Sequence, residues 1–148
     1  MGTHFHGSKL EADALDAYIK LLRAAESVSN RTHDGLPADL TLTQFGVLEA
    51  LLHLGPLCQS ALAEKLLKSA GNLTLVVNNL EKAGLVARER DASDRRYVTV
   101  ALTPRGRRHI EALFPRVCAR ITAEMSVLTS TEQAALARLC KKIGLGRA

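Results

Sequence analysis

Hydrophobic positions in the first third of the chain repeat every three or four residues and predict two helices. The first apolar stripe, over residues 10–28, predicts a long amphipathic helix that ends within residues 30–35. The next segment, Leu42–Leu54, is apolar on nearly every face, so we expect a central, buried helix. A capping box at residues 41–44 predicts where this helix begins, and Gly55-Pro56 predicts where it ends.

Two short helices joined by a tight turn are predicted next. The first covers residues 61–67 after Ser60, and the second covers residues 70–83 after Ser69, with Gly84 at its end. Two helices of this length and spacing are typical of a helix-turn-helix, in which the second helix enters a DNA groove.

The apolar positions change to an alternating pattern after this pair of helices. Residues 85–90 and 97–102 predict two strands, and the polar residues 91–96 predict the hairpin tip that joins them. A hairpin directly after a helix-turn-helix is the wing of a winged helix-turn-helix.

Two further helices are predicted in the last third of the chain. Thr103-Pro104 provides a capping residue and a proline at the first helical position, and an apolar stripe follows to residue 128. Pro115 lies inside this stripe, so we expect a kink or a break there. A capping box at residues 130–133 begins the last helix, which we expect to end at Gly144.

The order of these elements predicts a mainly α protein with a small β-hairpin, built as a single domain over residues 1–148. A winged helix-turn-helix lobe over residues 41–103 is flanked by helices over residues 8–36 and 104–145. The apolar stripes of the flanking helices are too long for so small a core to cover. We therefore expect a homodimer in which these helices cover each other.

Composition narrows the functional classes. The chain has 148 residues, of which 47% are hydrophobic, so it is long enough to bury a core. Aromatic residues make up 3% and there is no Trp, which argues against a stacking platform for single-stranded nucleic acid. No apolar run reaches membrane-spanning length, and no secretory signal is evident. Three widely spaced cysteines suit a reducing compartment, so we expect a cytoplasmic location.

Positive charge is concentrated in the middle of the chain. Residues 57–110 hold 10 basic and 5 acidic side chains, net +5, whereas residues 1–56 hold 4 and 7, net −3. One interpretation is an ordinary solvated basic face. The other is a surface that binds a polyanion, most often nucleic acid.

The motifs of this basic segment resemble those of the MarR family of bacterial transcription regulators. The most specific are Asn-Asn-Leu-Glu-Lys-Ala-Gly-Leu-Val at residues 78–86, Asp-Arg-Arg at residues 94–96, and Leu-Thr-Pro-Arg-Gly at residues 102–106. They have the order and spacing of the family's recognition-helix end, wing tip and post-wing helix. The resemblance covers residues 10–145.

Within the family, the chain resembles the MhqR-like branch that responds to quinones and phenols. Residues 45–49, 69–74 and 114–115 carry this likeness. The family resemblance implies a homodimer whose recognition helices enter successive major grooves of a near-palindromic double-stranded DNA operator, with the wings in the flanking minor grooves. It also implies repression that is relieved by a small aromatic ligand or by thiol oxidation.

The start of the predicted recognition helix has small and polar residues that suit a DNA groove. Free N–H groups at a helix N-terminus bind phosphate, and an Asn amide, such as that of Asn72 or Asn78, pairs with adenine. The alternative is that Ser69 and Asn72 only cap the helix. From this helix we expect DNA contacts by Ser69, Ala70, Gly71, Asn72, Thr74 and Asn78.

The wing supplies arginines for a narrow minor groove, where the negative potential is enhanced. By family likeness we expect Arg95 to enter the groove and Arg96 to pair with Asp94, although the reverse order fits as well. The alternative is a solvated hairpin with weak surface ion pairs. From the wing we expect DNA contacts by Arg88, Arg90, Asp94, Arg95 and Arg96.

A ligand pocket is implied where the family's dimer helices meet the winged lobe. In this chain the pocket would be lined by Tyr18, Leu22, His33, Phe45 and Phe114. The alternative is that these are ordinary residues of the hydrophobic core.

Two cysteines are candidates for a redox-sensing thiol. Cys58 precedes the first helix of the helix-turn-helix, and Cys118 has Arg116 and Arg120 close in sequence. The alternative is a buried, unreactive cysteine.

The sequence offers no motif for catalysis. It lacks a phosphate-binding loop, a G-x-S-x-G elbow and an H-E-x-x-H helix, and its histidines have no metal-ligand spacing. We therefore expect no enzyme activity, metal or cofactor. Two other functions stay open: thiol-based redox regulation on the same fold, and sequestration of a ligand without specific DNA binding.

Overall fold

The computed structural model describes residues 4–146 and divides the chain into two compact units, with the boundary between Gly35 and Leu36. The described part of the first unit contains helix α1, Lys9–His33. Ser8 caps this helix and forms a capping box with Glu11, and the end at His33 lies within the predicted range. No helix in residues 4–146 is long and apolar enough to cross a membrane.

The second unit contains the remaining elements in the predicted order. In chain order they are α2 Leu42–Leu54, β1 Leu57–Cys58, α3 Gln59–Lys65, α4 Ala70–Lys82, β2 Val86–Arg90, β3 Val98–Leu102, α5 Pro104–Met125 and α6 Ser130–Leu145. The predicted fold class, a mainly helical protein with a winged helix-turn-helix, is confirmed.

The sheet has three strands, not the two that the sequence predicted. All pairs are antiparallel, in the order β1-β3-β2, and Leu57 lies opposite Val100 in β3. A two-residue strand is too short for an alternating pattern to reveal. Because Cys58 belongs to this strand and directly precedes α3, the helix begins at Gln59, and Ser60 is not its cap.

Helix α2 forms the centre of the core, as its apolar character predicted. Val47, Leu48 and Leu51 are at most 1% exposed. Side chains from every neighbouring element of the unit complete the core, the largest being Leu62, Leu73, Val77, Leu80, Val86, Val100, Ile110 and Val117.

Helix α5 is continuous through Pro115, so of the expected kink or break the break is absent. Leu113 and Val117 on either side are buried, and their packing offsets the lost backbone hydrogen bond. Helix α6 differs from the prediction at two points. The capping box of α6 is formed by Thr129 with Glu132, one residue earlier than expected. Helix α6 also passes Gly144 and ends at Gly146, whose positive φ of 69° suits a helix C-terminus.

The wing is fixed to the start of α5 by close backbone contacts. The Thr103 hydroxyl donates to the Gly84 carbonyl oxygen at 2.6 Å and accepts from the Gly106 backbone N–H at 3.0 Å. A Cβ atom at position 106 would lie 1.8 Å from the Leu85 carbonyl oxygen, so only glycine fits there. This junction sets the position of the wing relative to α4 and the core.

Candidate DNA-binding surface

Helix α4, the second helix of the helix-turn-helix, begins immediately after a tight turn. The turn is closed by the Lys68 backbone N–H, which donates to the Ala63 carbonyl oxygen at 2.9 Å. Ser69 is the N-cap, and its hydroxyl accepts from the Asn72 backbone N–H at 3.1 Å. The predicted capping role of Ser69 is therefore present, which leaves the Asn72 side chain exposed and available for other contacts.

The first residues of α4 are exposed and have small or short polar side chains. Ala70, Gly71 and Asn72 are all exposed, and the space beside Gly71 is open. Thr74, in contrast, is half-buried and bonded within the protein. Its hydroxyl donates to the Ala70 carbonyl oxygen at 2.8 Å and accepts from the Gln59 amide at 2.9 Å. Thr74 therefore ties α4 to α3 and has little hydrogen-bonding capacity left for DNA.

Arg88 ties strand β2 to helix α4. Its guanidinium donates to the Asn78 side-chain oxygen and, at 3.1 Å, to the Glu81 carboxylate, whose pKa is lowered chiefly by this hydrogen bond. A guanidinium has only donors, so the Asn78 atom that meets it must be the amide oxygen. The NH₂ group of Asn78 and the second lone pair of its oxygen remain for DNA. Bidentate pairing with adenine therefore requires the oxygen to accept from Arg88 and from the base at the same time.

The wing tip is an internally bonded loop. One Asp91 carboxylate oxygen accepts from the backbone N–H of Ser93 at 2.7 Å and from that of Asp94 at 3.1 Å. The Ser93 hydroxyl bonds to the same oxygen and is the main cause of the lowered pKa of Asp91. The loop therefore has a defined shape although it is exposed.

The four wing arginines differ in what they contact. Arg96 forms a two-pronged pair with Asp94 at 3.0 and 2.7 Å, as predicted, and this pair lowers the pKa of Asp94. Arg90 donates to the Arg95 carbonyl oxygen at 2.9 Å, and Arg88 is held by α4. Across residues 4–146, the guanidinium of Arg95 has no hydrogen-bond acceptor. Of the four, Arg95 is the side chain that the loop leaves unpaired and exposed.

Two exposed residues of α4 were not among the predicted DNA contacts. Leu75 and Asn79 are exposed on α4, at three and seven residues after Asn72, and so lie on the same helical face. Helical spacing from Asn72 was the signal that identifies both.

The five predicted ligand residues are divided between the two units. Tyr18 and Leu22 on α1 are 58% and 50% exposed, so neither is an ordinary core residue within its own unit. His33 is half-buried at the end of α1. Phe45 and Phe114 stack in the second unit with ring centroids 6.4 Å apart, and His53 contacts the Phe114 ring at 4.7 Å.

A separate cleft of about 380 Å³ lies where α4, α5 and the start of α2 come together. Its floor includes the buried Leu40 and Leu80, and Arg105 and Arg108 stand at its rim. None of the five predicted ligand residues lines this cleft.

The two candidate cysteines lie in different environments. Cys58 is half-buried, and the Ser60 hydroxyl at 3.2 Å is the main cause of the lowered pKa of its thiol. Cys118 is exposed on α5 within this chain, so its own chain does not bury it. Among residues 4–146, no three His, Cys, Asp or Glu side chains are grouped closely enough to hold a metal ion.

The arrangement of α3, α4 and the three-stranded wing defines the class: a winged helix-turn-helix protein. A family model described as MarR family matches residues 40–98. YkoM of Bacillus subtilis (strain 168), an uncharacterised HTH-type transcriptional regulator, is 35% identical over 133 residues, which cover 89% of this chain and 86% of YkoM. The HTH-type transcriptional regulator MhqR of the same strain is 31% identical over 133 residues, which cover 89% of this chain and 92% of MhqR.

Solved structures agree with these relatives. BpsR of Bordetella bronchiseptica, whose DNA binding is regulated by 6-hydroxynicotinic acid, superposes with a TM-score of 0.75 at 27% identity, over 86% of this chain and 97% of that chain. The chain belongs to the MarR family of DNA-binding transcriptional regulators. Its similarity to regulators argues against enzymatic activity.

Proposed function

We propose that this protein is a homodimeric repressor that binds a near-palindromic double-stranded DNA operator and is released by a small phenolic or quinone ligand. The observation that supports DNA binding most strongly is the difference in contacts among the four arginines of the wing. Arg88, Arg90 and Arg96 make hydrogen bonds within the wing or to α4, and Arg95 is left exposed at the wing tip without an internal acceptor among residues 4–146.

In the proposed complex, α4 enters the major groove and the wing tip enters the adjacent minor groove. Asn72 and the Asn78 NH₂ group face the bases or the phosphates from α4. Ala70 and Gly71 allow close approach of the helix start, where free N–H groups bind phosphate. Arg95 occupies the minor groove, and Asp94 acts indirectly because its carboxylate holds Arg96.

Helix α6 supports the proposed dimer. None of its 16 residues is buried, and Leu136, Leu139 and Ile143 form one stripe that is 38–62% exposed. A helix of this length gains most of its stability from packing, so a second copy of the chain is the expected cover. Sedimentation equilibrium should give a dimer for the wild type and a monomer for a variant with Leu139→Arg and Ile143→Arg.

A hydroxylated aromatic ring is the proposed effector. Within the second unit, the stacked Phe45 and Phe114 rings offer an apolar surface of the type that such a ligand needs, and Tyr18, Leu22 and His33 of α1 remain predicted ligand residues. The structural neighbour BpsR responds to a hydroxylated aromatic acid.

Release from DNA tests the effector directly. Fluorescence anisotropy of the protein on DNA from upstream of its own gene should fall when a phenol or a quinone is added, and Phe114→Ala should need a higher concentration. An aliphatic alcohol is the control. If no phenol or quinone releases the protein at concentrations that leave it folded, the effector proposal is wrong.

A second candidate is a redox-regulated repressor, which the lowered pKa of the Cys58 thiol favours. Peroxide or quinone should then release the wild type from DNA but should leave Cys58→Ser bound. If Cys58→Ser is released and Cys118→Ser is not, the sensor is Cys118. Equal release of wild type and of a variant without cysteines excludes thiol sensing and leaves the ligand mechanism.

A further inference from the structure

Leu75 is an exposed leucine in the middle of the recognition helix α4. It is 60% exposed, whereas the other large apolar residues of the helix that face the core, Leu73, Val77 and Leu80, are at most 1% exposed. Seven of the fourteen other large apolar side chains that are exposed in residues 4–146 lie on α1 or α6, where a second copy of the chain is the proposed cover. Leu75 belongs to neither of these helices, so the proposed dimer contacts do not account for its exposure.

The neighbours of Leu75 make it the most prominent side chain of this face. Gly71 is one turn earlier and has no side chain, and the space beside it is open. Asn72 and Asn79 lie three residues before and four residues after Leu75, so two amides flank one isobutyl group. An apolar side chain between two amides suits a binding partner on which an apolar group lies beside hydrogen-bonding groups.

The major groove of DNA offers such a target at thymine. Thymine is the base with a methyl group on its major-groove edge, next to an acceptor oxygen at position 4. Net charge favours DNA over a protein partner, because the segment from residue 57 to residue 110 carries net +5. We propose that Leu75 is a specificity-determining residue that packs against the C5 methyl group of a thymine in each half-site.

This inference rests on the proposed function, because it requires α4 to enter the major groove. It adds a preference for thymine over uracil, which hydrogen bonds to the base edge do not provide. The Asn72 and Asn79 amides can bond to uracil and thymine equally well, since the two bases differ only in the methyl group. Discrimination between thymine and uracil therefore reports contacts to the methyl group, and comparison with Leu75→Ala assigns them to Leu75 or to another residue.

The experiment begins with selection of duplexes from a random pool by the purified full-length protein. The selected duplex is then synthesised twice, once with thymidine and once with deoxyuridine at every thymine, and both are titrated by anisotropy at one fixed salt concentration. For the wild type, deoxyuridine should weaken binding about fourfold per half-site, or about fifteenfold for a dimer on two half-sites, which is the factor for one lost buried methyl group each.

Two variants complete the test. Leu75→Ala should bind both duplexes within about twofold of each other, and it should fold normally because alanine is a better helix former than leucine at an exposed position. Leu54→Ala removes another exposed leucine, at the end of α2, and should keep the discrimination of the wild type.

The outcomes separate this inference from the function on which it rests. If the wild type selects a sequence but does not distinguish thymine from uracil, the inference is wrong and the proposed function stands. If Leu75→Ala discriminates as strongly as the wild type, another residue contacts the methyl group and the inference is again wrong. If no sequence is selected at all, both are overturned.

Discussion

Arg88 and Arg95 are both basic residues of the wing, yet the structure gives them different tasks that mutation can separate. Arg88 donates to Asn78 and Glu81 and is 24% exposed in its side chain. Arg95 has no acceptor for its guanidinium within residues 4–146. We expect Arg88→Ala to act through folding and through the orientation of Asn78, and Arg95→Ala to act on DNA binding directly.

The expected magnitudes follow from these contacts. Arg88→Ala removes two hydrogen bonds of a charged donor. The Glu81 side chain is 43% exposed, so solvent weakens the hydrogen bond between Arg88 and Glu81. The free energy of unfolding should fall by about 1–2 kcal/mol. Arg95→Ala should change it by less than about 0.5 kcal/mol, because its side chain makes no internal bond. Arg95→Ala should instead weaken operator binding by about 1–3 kcal/mol.

The salt dependence of DNA binding distinguishes the two roles. A side chain that neutralises a phosphate contributes about 0.9 to the slope of log K against log salt, so Arg95→Ala should reduce the slope by about 2 for a dimer. Arg88→Ala should leave the slope nearly unchanged, even though affinity falls because Asn78 loses its fixed orientation. Arg138→Ala removes the same charge from an exposed position on α6 and serves as the control.

The opposite pattern would refute this reasoning. If Arg88→Ala lowers the slope as much as Arg95→Ala and unfolds at the same denaturant concentration as the wild type, then Arg88 contacts DNA. Its bonds to Asn78 and Glu81 would then not persist in solution.

Three further predictions concern the junction between the wing and α5 and the thiol of Cys58. Gly106→Ala should destabilise the fold by about 3 kcal/mol or more in chemical denaturation, because its Cβ would lie 1.8 Å from the Leu85 carbonyl oxygen; wild-type stability would show that the junction is loosely packed. Thr103→Val should cost about 2 kcal/mol through loss of the helix cap and of the bond to Gly84, and a cost below about 0.5 kcal/mol would contradict these bonds. The pH midpoint of Cys58 alkylation should be lower than that of free cysteine, because the Ser60 hydroxyl stabilises the thiolate. The midpoint should rise in Ser60→Ala. An unchanged midpoint in that variant would exclude the Ser60 hydrogen bond as the cause.

Local signals predicted most of the secondary structure. Helix α2 was predicted from its apolar residues and its capping box, and both bounds were correct because Thr41 and Gly55 act within a few residues of the chain. Ser69 was correctly predicted as the cap of α4 for the same reason. Strand β1 was not predicted, because its partner Val100 is more than forty residues away and two residues show no period.

The candidate site was predicted less completely because its contacts are tertiary. The motif at residues 94–96 predicted the Arg96–Asp94 pair, which is local. The engagement of Arg88 with Asn78 depends on how β2 lies against α4, and nothing in the spacing of the two residues signals it. For the same reason the sequence could not separate an Asn with a free side chain from one whose oxygen already accepts a hydrogen bond within the protein.

The central claim is that this MarR family member recognises a specific DNA sequence through α4 and Arg95. The most direct measurement is the ratio of its affinities for a selected duplex and for a scrambled duplex of equal length, at near-physiological salt. We predict a ratio of about a thousandfold or more for the wild type, and a smaller ratio for Arg95→Ala. Equal affinity for both duplexes, with only the salt-dependent electrostatic attraction that any DNA provides, would contradict the claim.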